Sequence, residues 1–227
     1  MKINIVVKLI IIVLVTLSCK SKATFAKNTP TIDTYKNYHA IAETTGDLDQ
    51  DTIDEKLVAY DTNRETFLGI ERELHIYKKF HNQWMLQNKI IGAILPSEGG
   101  GMWGDPFESI QTKNGTIIID HFGGSREKWR YTHTFKQLHG VWKLINAHIL
   151  YFTNCDFFEE LNYNLLTGNV SYTKELEDCS EENKQQPITI TEQEEFILKP
   201  DTLPNMNGFN PGETEIKLPH LEKVFYY

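Results

Sequence analysis

The run GDLDQDTIDE, residues 46–55, places carboxylates at alternating positions: Asp47, Asp49, Asp51 and, two steps beyond Ile53, Glu55. In a tight turn, alternate side chains can aim at one point while the residues between them face away. Three aspartates in the first, third and fifth places, the Ile53 carbonyl in the seventh and Glu55 in the ninth make an all-oxygen donor set. Such a set suits calcium better than zinc or iron. An ion held there would stiffen the loop rather than carry out chemistry. The competing reading is an acidic turn held by aspartate-to-backbone hydrogen bonds.

No other constellation supplies a reaction. Asp120, His121 and Ser125 lie close in sequence, but a Gly-Gly-Ser turn lacks the strand–turn–helix setting of a nucleophile elbow. The eight histidines are dispersed, with no HxH or HExxH among them. The adjacent acids Glu159-Glu160 and Glu181-Glu182 sit in polar surroundings that would not retune a carboxyl. Gly99-Gly100-Gly101 is not followed by the Lys-Ser/Thr of a phosphate loop. The sequence therefore reads as non-catalytic, the alternative being a secreted or periplasmic hydrolase whose site is not legible. The glycines flank Trp103, and Trp103, Phe107, Phe122 and Trp129 form a candidate binding face for a sugar or a peptide. Aromatics packing a small β core would look the same.

The chain has 227 residues and a formal net charge of −8. That charge disfavours nucleic acid, whose phosphates need a basic footprint. The N-terminus reads as a signal peptide over residues 1–18, with a basic start, nine apolar residues (9–17), then Ser18-Cys19. This resembles the lipobox of bacterial lipoproteins, although Thr16 stands where Leu is preferred. Cys19 would then carry the lipid that holds the protein to the outer membrane, on its periplasmic or surface face. Secretory cleavage after Ala26 or an uncleaved anchor are the alternatives, the first giving a secreted protein. In an oxidising compartment the remaining pair, Cys155 and Cys179, is expected to form a disulfide across the open end of a hairpin that turns near Leu166-Thr167-Gly168.

Residues 19–32 read as a flexible tether. From residue 33 the pattern is period-2, clearest in KWRYTHTF (128–135), where Trp129, Tyr131, His133 and Phe135 share a face. GTIIIDHF (115–122), KLVAYD (56–61) and RELHIYKKF (72–80) read as further strands, and KNG (113–115) as a hairpin turn. WMLQNKIIGAIL (84–95) fits a strand or a short helix. The fold class is mainly β. An antiparallel meander is expected, as a curved sheet, a sandwich or a partial barrel or propeller. It would form a domain over 33–150, with a β-hairpin extension over 151–227.

The acidic loop, with GD at 46–47, resembles the calcium loops of FG-GAP and VCBS-type repeats. Thr52 replaces the usual glycine, and Glu55 the usual aspartate. GDPF (104–107), NG (114–115) and GGS (123–125) follow in an order that resembles a pattern of bacterial exported proteins, over roughly residues 38–148. The resemblance implies a β module in an envelope lipoprotein, with Ca2+ as a structural ligand. Its partners would be the membrane, through the lipid, and a protein or a glycan.

Overall fold

The computed structural model describes residues 29–179 and 189–227. Cys19, the expected signal peptide and most of the expected tether lie outside them. Thirteen strands follow: β1 His39–Gly46, β2 Glu55–Thr66, β3 Gly69–Phe80, β4 Gln83–Ile91, β5 Phe107–Lys113, β6 Thr116–Gly124, β7 Lys128–Leu138, β8 Val141–Thr153, β9 Phe157–Asn164, β10 Asn169–Leu176, β11 Thr189–Ile197, β12 Glu215–Lys217 and β13 Val224–Tyr226. They build a four-stranded sheet (β1-β2-β3-β4), a seven-stranded sheet (β11 through to β5) and a two-stranded ribbon. Every paired neighbour is antiparallel and adjacent in sequence, so the fold is a meander, as the pattern predicts. The ambiguous stretch from Trp84 is strand up to Ile91.

Turn chemistry sets the register. Asn114 and Gly115 both take positive φ (51° and 73°), the backbone a two-residue hairpin needs. On β6 and β7 this register aims Ile117, Ile119, His121, Tyr131, His133 and Phe135 inward. A bulge between Thr134 and Phe135 resets β8, so that Trp142, Leu144, Ala147 and Ile149 also face in.

The sheets meet where β1 lies beside β5. The Thr112 hydroxyl donates to the Thr45 carbonyl at 2.8 Å. Gly46 permits this approach, since a Cβ there would stand 2.3 Å from Thr112 Oγ1. The four-stranded sheet thus covers part of the inner face of the seven-stranded one. Residues after β11 cover the rest, through Met206, Phe209, Ile216, Leu218, Phe225 and Tyr227.

That packing corrects the expected division at 150/151. The boundary falls inside β8, and β9 to β11 continue the same sheet over the same core. The 9–10 hairpin is present as expected, and Cys155 and Cys179 close its open end as a disulfide, with Cα atoms 5.1 Å apart. The period-2 signal marks strands but not where one core ends, and here the core runs on past residue 150. The end of the expected tether is also structured: Leu86 N–H donates to the Pro30 carbonyl at 2.7 Å. Ile32, Tyr35 and Tyr38 then pack on the outer side of the four-stranded sheet, against Val58, Tyr60 and Tyr77.

Candidate functional site

The acidic loop joins β1 to β2, so both of its ends are held by paired strands. Asp47 turns back on its own loop and accepts from Asp51 N–H (3.1 Å) and Thr52 N–H (2.9 Å). Asp51 accepts from Ile53 N–H at 2.9 Å, and Glu55 from Leu48 N–H at 2.9 Å. The remaining oxygens converge on Lys78 of β3. Its ammonium donates to Asp49, donates to Asp51 at 2.8 Å and lies 3.1 Å from Glu55 Oε1.

Burial works against the Lys78 charge, but the carboxylates of Asp49, Asp51 and Glu55 outweigh it and hold its pKa above the ordinary lysine value. The Lys78 hydrogen bond holds Asp51 below the carboxylate range, while burial pushes Glu55 up. As arranged, the donors serve backbone amides and a lysine. One oxygen each of Asp47, Asp49 and Glu55 still lies within 4.8 Å of the others, so a cation would compete with Lys78 for that focus. Ile53 is exposed and its own N–H is taken by Asp51.

GDPF has a clear local purpose. Asp105 accepts from both guanidinium arms of Arg72 at 2.6 Å each, and from Phe107 N–H at 2.9 Å. Arg72 also donates through Nε to Asp61 at 2.9 Å, and its side chain is only 2% exposed. Desolvation raises the Asp105 carboxyl, but the Arg72 hydrogen bonds outweigh it, so its pKa is lowered overall. This bidentate pair ties the four-stranded sheet to the strand that opens the seven-stranded one. The glycine cluster serves close packing: Gly124 N–H donates to the Gly100 carbonyl, and a Cβ on Gly123 would stand 2.3 Å from the Trp129 ring.

The four aromatics expected to gather are split by strand alternation. Trp129 stacks on Tyr131 with centroids 4.6 Å apart and packs on the core. Phe107 also packs on the core, beneath Arg72 and 6.2 Å from His121. Trp103 and Phe122 lie on the opposite, outer face, edge to face at 4.8 Å. Two aromatics that the sequence reading missed extend them. Phe122 meets Phe152 at 6.2 Å, and Phe152 stacks on Phe158 at 5.2 Å. The pairing of β8 with β9 opposes Phe152 and Phe158, but this register is not visible in the sequence. Trp103 is 54% exposed and Met102 beside it 87%. Lys128 lies over the Phe152 ring.

Asp120, His121 and Ser125 do not assemble. Neighbours on a strand face opposite ways, so Asp120 points outward and pairs with Arg130 and Thr132. His121 points inward and accepts from Leu95 N–H at 3.2 Å. His121 and His133 are fully buried, and burial pushes both pKa values down to about 3. The sequence reading also missed a buried relay, although the alternation Glu73-x-His75-x-Tyr77 was there to be seen. His75 contacts Glu73 at 2.8 Å and the Tyr77 hydroxyl at 3.0 Å. Tyr35 and Tyr60 pack around the ring. A pocket of about 340 Å³ lined by Tyr38, Arg64, Glu73 and Lys89 reaches the relay only at Glu73.

Comparison with known protein families, characterised proteins and solved structures finds nothing that matches this chain.

Proposed function

We propose that the protein is a non-catalytic binding module of the bacterial envelope, tethered to the outer membrane through Cys19, with the outer face of the seven-stranded sheet as its ligand surface. The observation that carries this reading is the contrast between the two faces of that sheet. The inner face is covered twice, by the four-stranded sheet and by residues 203–227. The outer face carries an aromatic ladder in which Trp103 and Phe158 are exposed and Phe122 and Phe152 half-buried, with the Lys128 side chain over Phe152 and no sheet or ribbon among the described residues packed on it. Aromatic rings supply contact area at low entropic cost; the sheet holds Phe122, Phe152 and Phe158 preorganised, and Trp103 joins them from the 3-10 turn before β5.

The hydrolase alternative draws no support from Asp120, His121 and Ser125. Calcium enters the proposal only as a competitor of Lys78 for Asp47, Asp49 and Glu55. The FG-GAP resemblance remains a proposal about ancestry resting on the same loop.

The test is co-sedimentation of the full chain, in detergent, with the detergent-insoluble residue of bacterial envelopes. A Trp103→Ala/Phe152→Ala variant that keeps the wild-type melting temperature should lose at least about tenfold in affinity, as expected for removing central aromatic contacts. Equal sedimentation of wild type and variant would refute this face as the ligand surface.

A further inference from the structure

The outer sheet face offers more than its aromatic ladder. At the far end from Trp103, side chains from β8 to β11 line an open groove of about 560 Å³. Its polar walls are Asn146, Asn162, Asn164, Asn169, Ser171 and Glu195. The register explains the grouping. Asn164 opposes both Asn146 and Asn169, and Asn162 opposes Ser171, which in turn opposes Glu195. These are the outward positions of four adjacent strands.

Much of this polarity is not used internally. Asn164 spends its side-chain carbonyl on the turn, accepting from Leu166 and Thr167 N–H. Asn162 donates to Glu160 at 3.2 Å. Asn146, Asn169 and Ser171 make no side-chain hydrogen bond within the protein among the described residues. A strand position facing water does not call for asparagine, which is depleted in strands. Here four of them converge on one groove.

We infer that this groove, continued along the sheet to the aromatic ladder, binds a neutral glycan chain. The inference deepens the binding-module reading and rests on it. A side-chain amide presents a donor and an acceptor together, and so does a sugar hydroxyl. An amide-lined trough therefore matches a polyol better than it matches an apolar peptide. Glu195 in the groove and Glu160 beside it repel polyanions, so nucleic acid and acidic polysaccharides fit poorly. Between the two ends the outward polar groups are largely paired with one another, His148 with Glu160 and Thr132 and Arg130 with Asp120, while Thr173 also faces out. From Asn146 to Phe152 the track runs six residues of β8, about 20 Å at the usual strand rise, long enough for several sugar units in a row. The aromatic end would stack on a pyranose face, and the amide end would read its hydroxyls.

The experiment titrates the full chain in detergent with cellohexaose, maltohexaose, mannohexaose and chitohexaose, with oligogalacturonate as the acidic control. At least one neutral hexaose should bind, and the oligogalacturonate should not. An Asn146→Ala/Asn169→Ala variant should weaken that binding by about tenfold or more, as expected for losing two hydrogen bonds. Its melting temperature should stay at the wild-type value, since neither side chain bonds within the protein. In parallel, envelope residue stripped by protease should still retain the protein.

If no neutral hexaose binds, or the double variant binds one as well as wild type, the glycan assignment is overturned. If protease treatment abolishes retention while Trp103→Ala/Phe152→Ala still weakens it on untreated envelopes, the ligand is a protein: the binding reading stands and the glycan falls. If wild type is never retained, the binding reading falls with it.

Discussion

His133 faces inward from β7 against Phe209 of the C-terminal segment, with both ring nitrogens buried and no hydrogen-bond partner among the described residues. Its ring meets Phe209 at 4.9 Å and Tyr131 at 6.0 Å. Such a site holds the neutral imidazole and rejects the cation. Burial brings its pKa to about 3 from an ordinary 6.5, with His121 adding repulsion. His121 is shifted down to about 3 by the same burial. A group whose folded pKa is depressed favours the unfolded chain as soon as the unfolded form begins to take up protons. The stability tied to these neutral rings is therefore whole above the unfolded pKa, and is lost as pH falls from about 6.5 towards 3. Over roughly pH 6.5 to 4.5 each ring costs about 2 kcal/mol, and the two together about 4–5, a large part of a typical total stability.

Other groups titrate nearby. Glu55, raised by burial, works the other way around its own pKa. Asp105 and Asp51, both lowered, add acid lability only near and below the ordinary carboxylate range. His75 is lowered by burial against the pull of Glu73 and adds to the histidine slope. The measurement that isolates His133 is therefore a difference. Urea unfolding of wild type and His133→Leu, with the disulfide kept oxidised, is compared at intervals from about pH 7 to pH 4.5. Whatever their offset at pH 7, the difference between the two lines should change on acidification, the variant gaining about 2 kcal/mol relative to wild type as one histidine drops out. Parallel lines across that window would refute the claim that His133 is held neutral in the core.

Asp105→Asn should cost about 2 kcal/mol by urea unfolding, because it leaves the Arg72 guanidinium buried with Asp61 alone; Arg72→Lys should not be silent, since a lysine cannot make the two-pronged contact. Lys78→Met should lower the melting temperature by several degrees, discounted for the partial exposure of Asp49 and Asp51, and added calcium should restore part of that loss. A calcium effect as large on wild type as on the variant would show that the ion and Lys78 do not compete. Cys155→Ser/Cys179→Ser should cost about 3–4 kcal/mol, the loop-closure value for a separation of 24 residues, read from the urea midpoint under oxidising conditions.

The strands were legible because their burial alternates. In KWRYTHTF the aromatic positions land on the inner face, and in GTIIIDHF Ile117 and Ile119 do while Ile118 and Phe122 turn outward; the Asn-Gly and His-Gly turns fix where the strands reverse. The hairpin between the cysteines was legible for the same reason, since its midpoint falls on the turn. What period-2 reading cannot supply is which strand ends meet. It placed Trp129 correctly with Tyr131 and His133, yet still grouped it with Phe122, which the pairing of Gly123 with Trp129 puts on the other side of the sheet. Phe152 and Phe158 escaped notice because their contact exists only through the register of β8 on β9.

The acidic loop shows the same limit in charge. Read alone, Asp47, Asp49, Asp51 and Glu55 look like ligands awaiting a cation. The cation lies 27 residues beyond Asp51, on the strand that β2 happens to pair with. Lys56 opposes Tyr77 in that register, which brings Lys78 level with the mouth of the loop. A calcium loop gains its affinity from carboxylates that repel one another until the ion arrives. Here that repulsion is already relieved from within the chain, and two aspartates have turned oxygens to backbone amides. The free energy such a loop would release on binding calcium is in this protein largely spent on folding. Only a variant without Lys78 offers a calcium ion the full field of the loop's carboxylates.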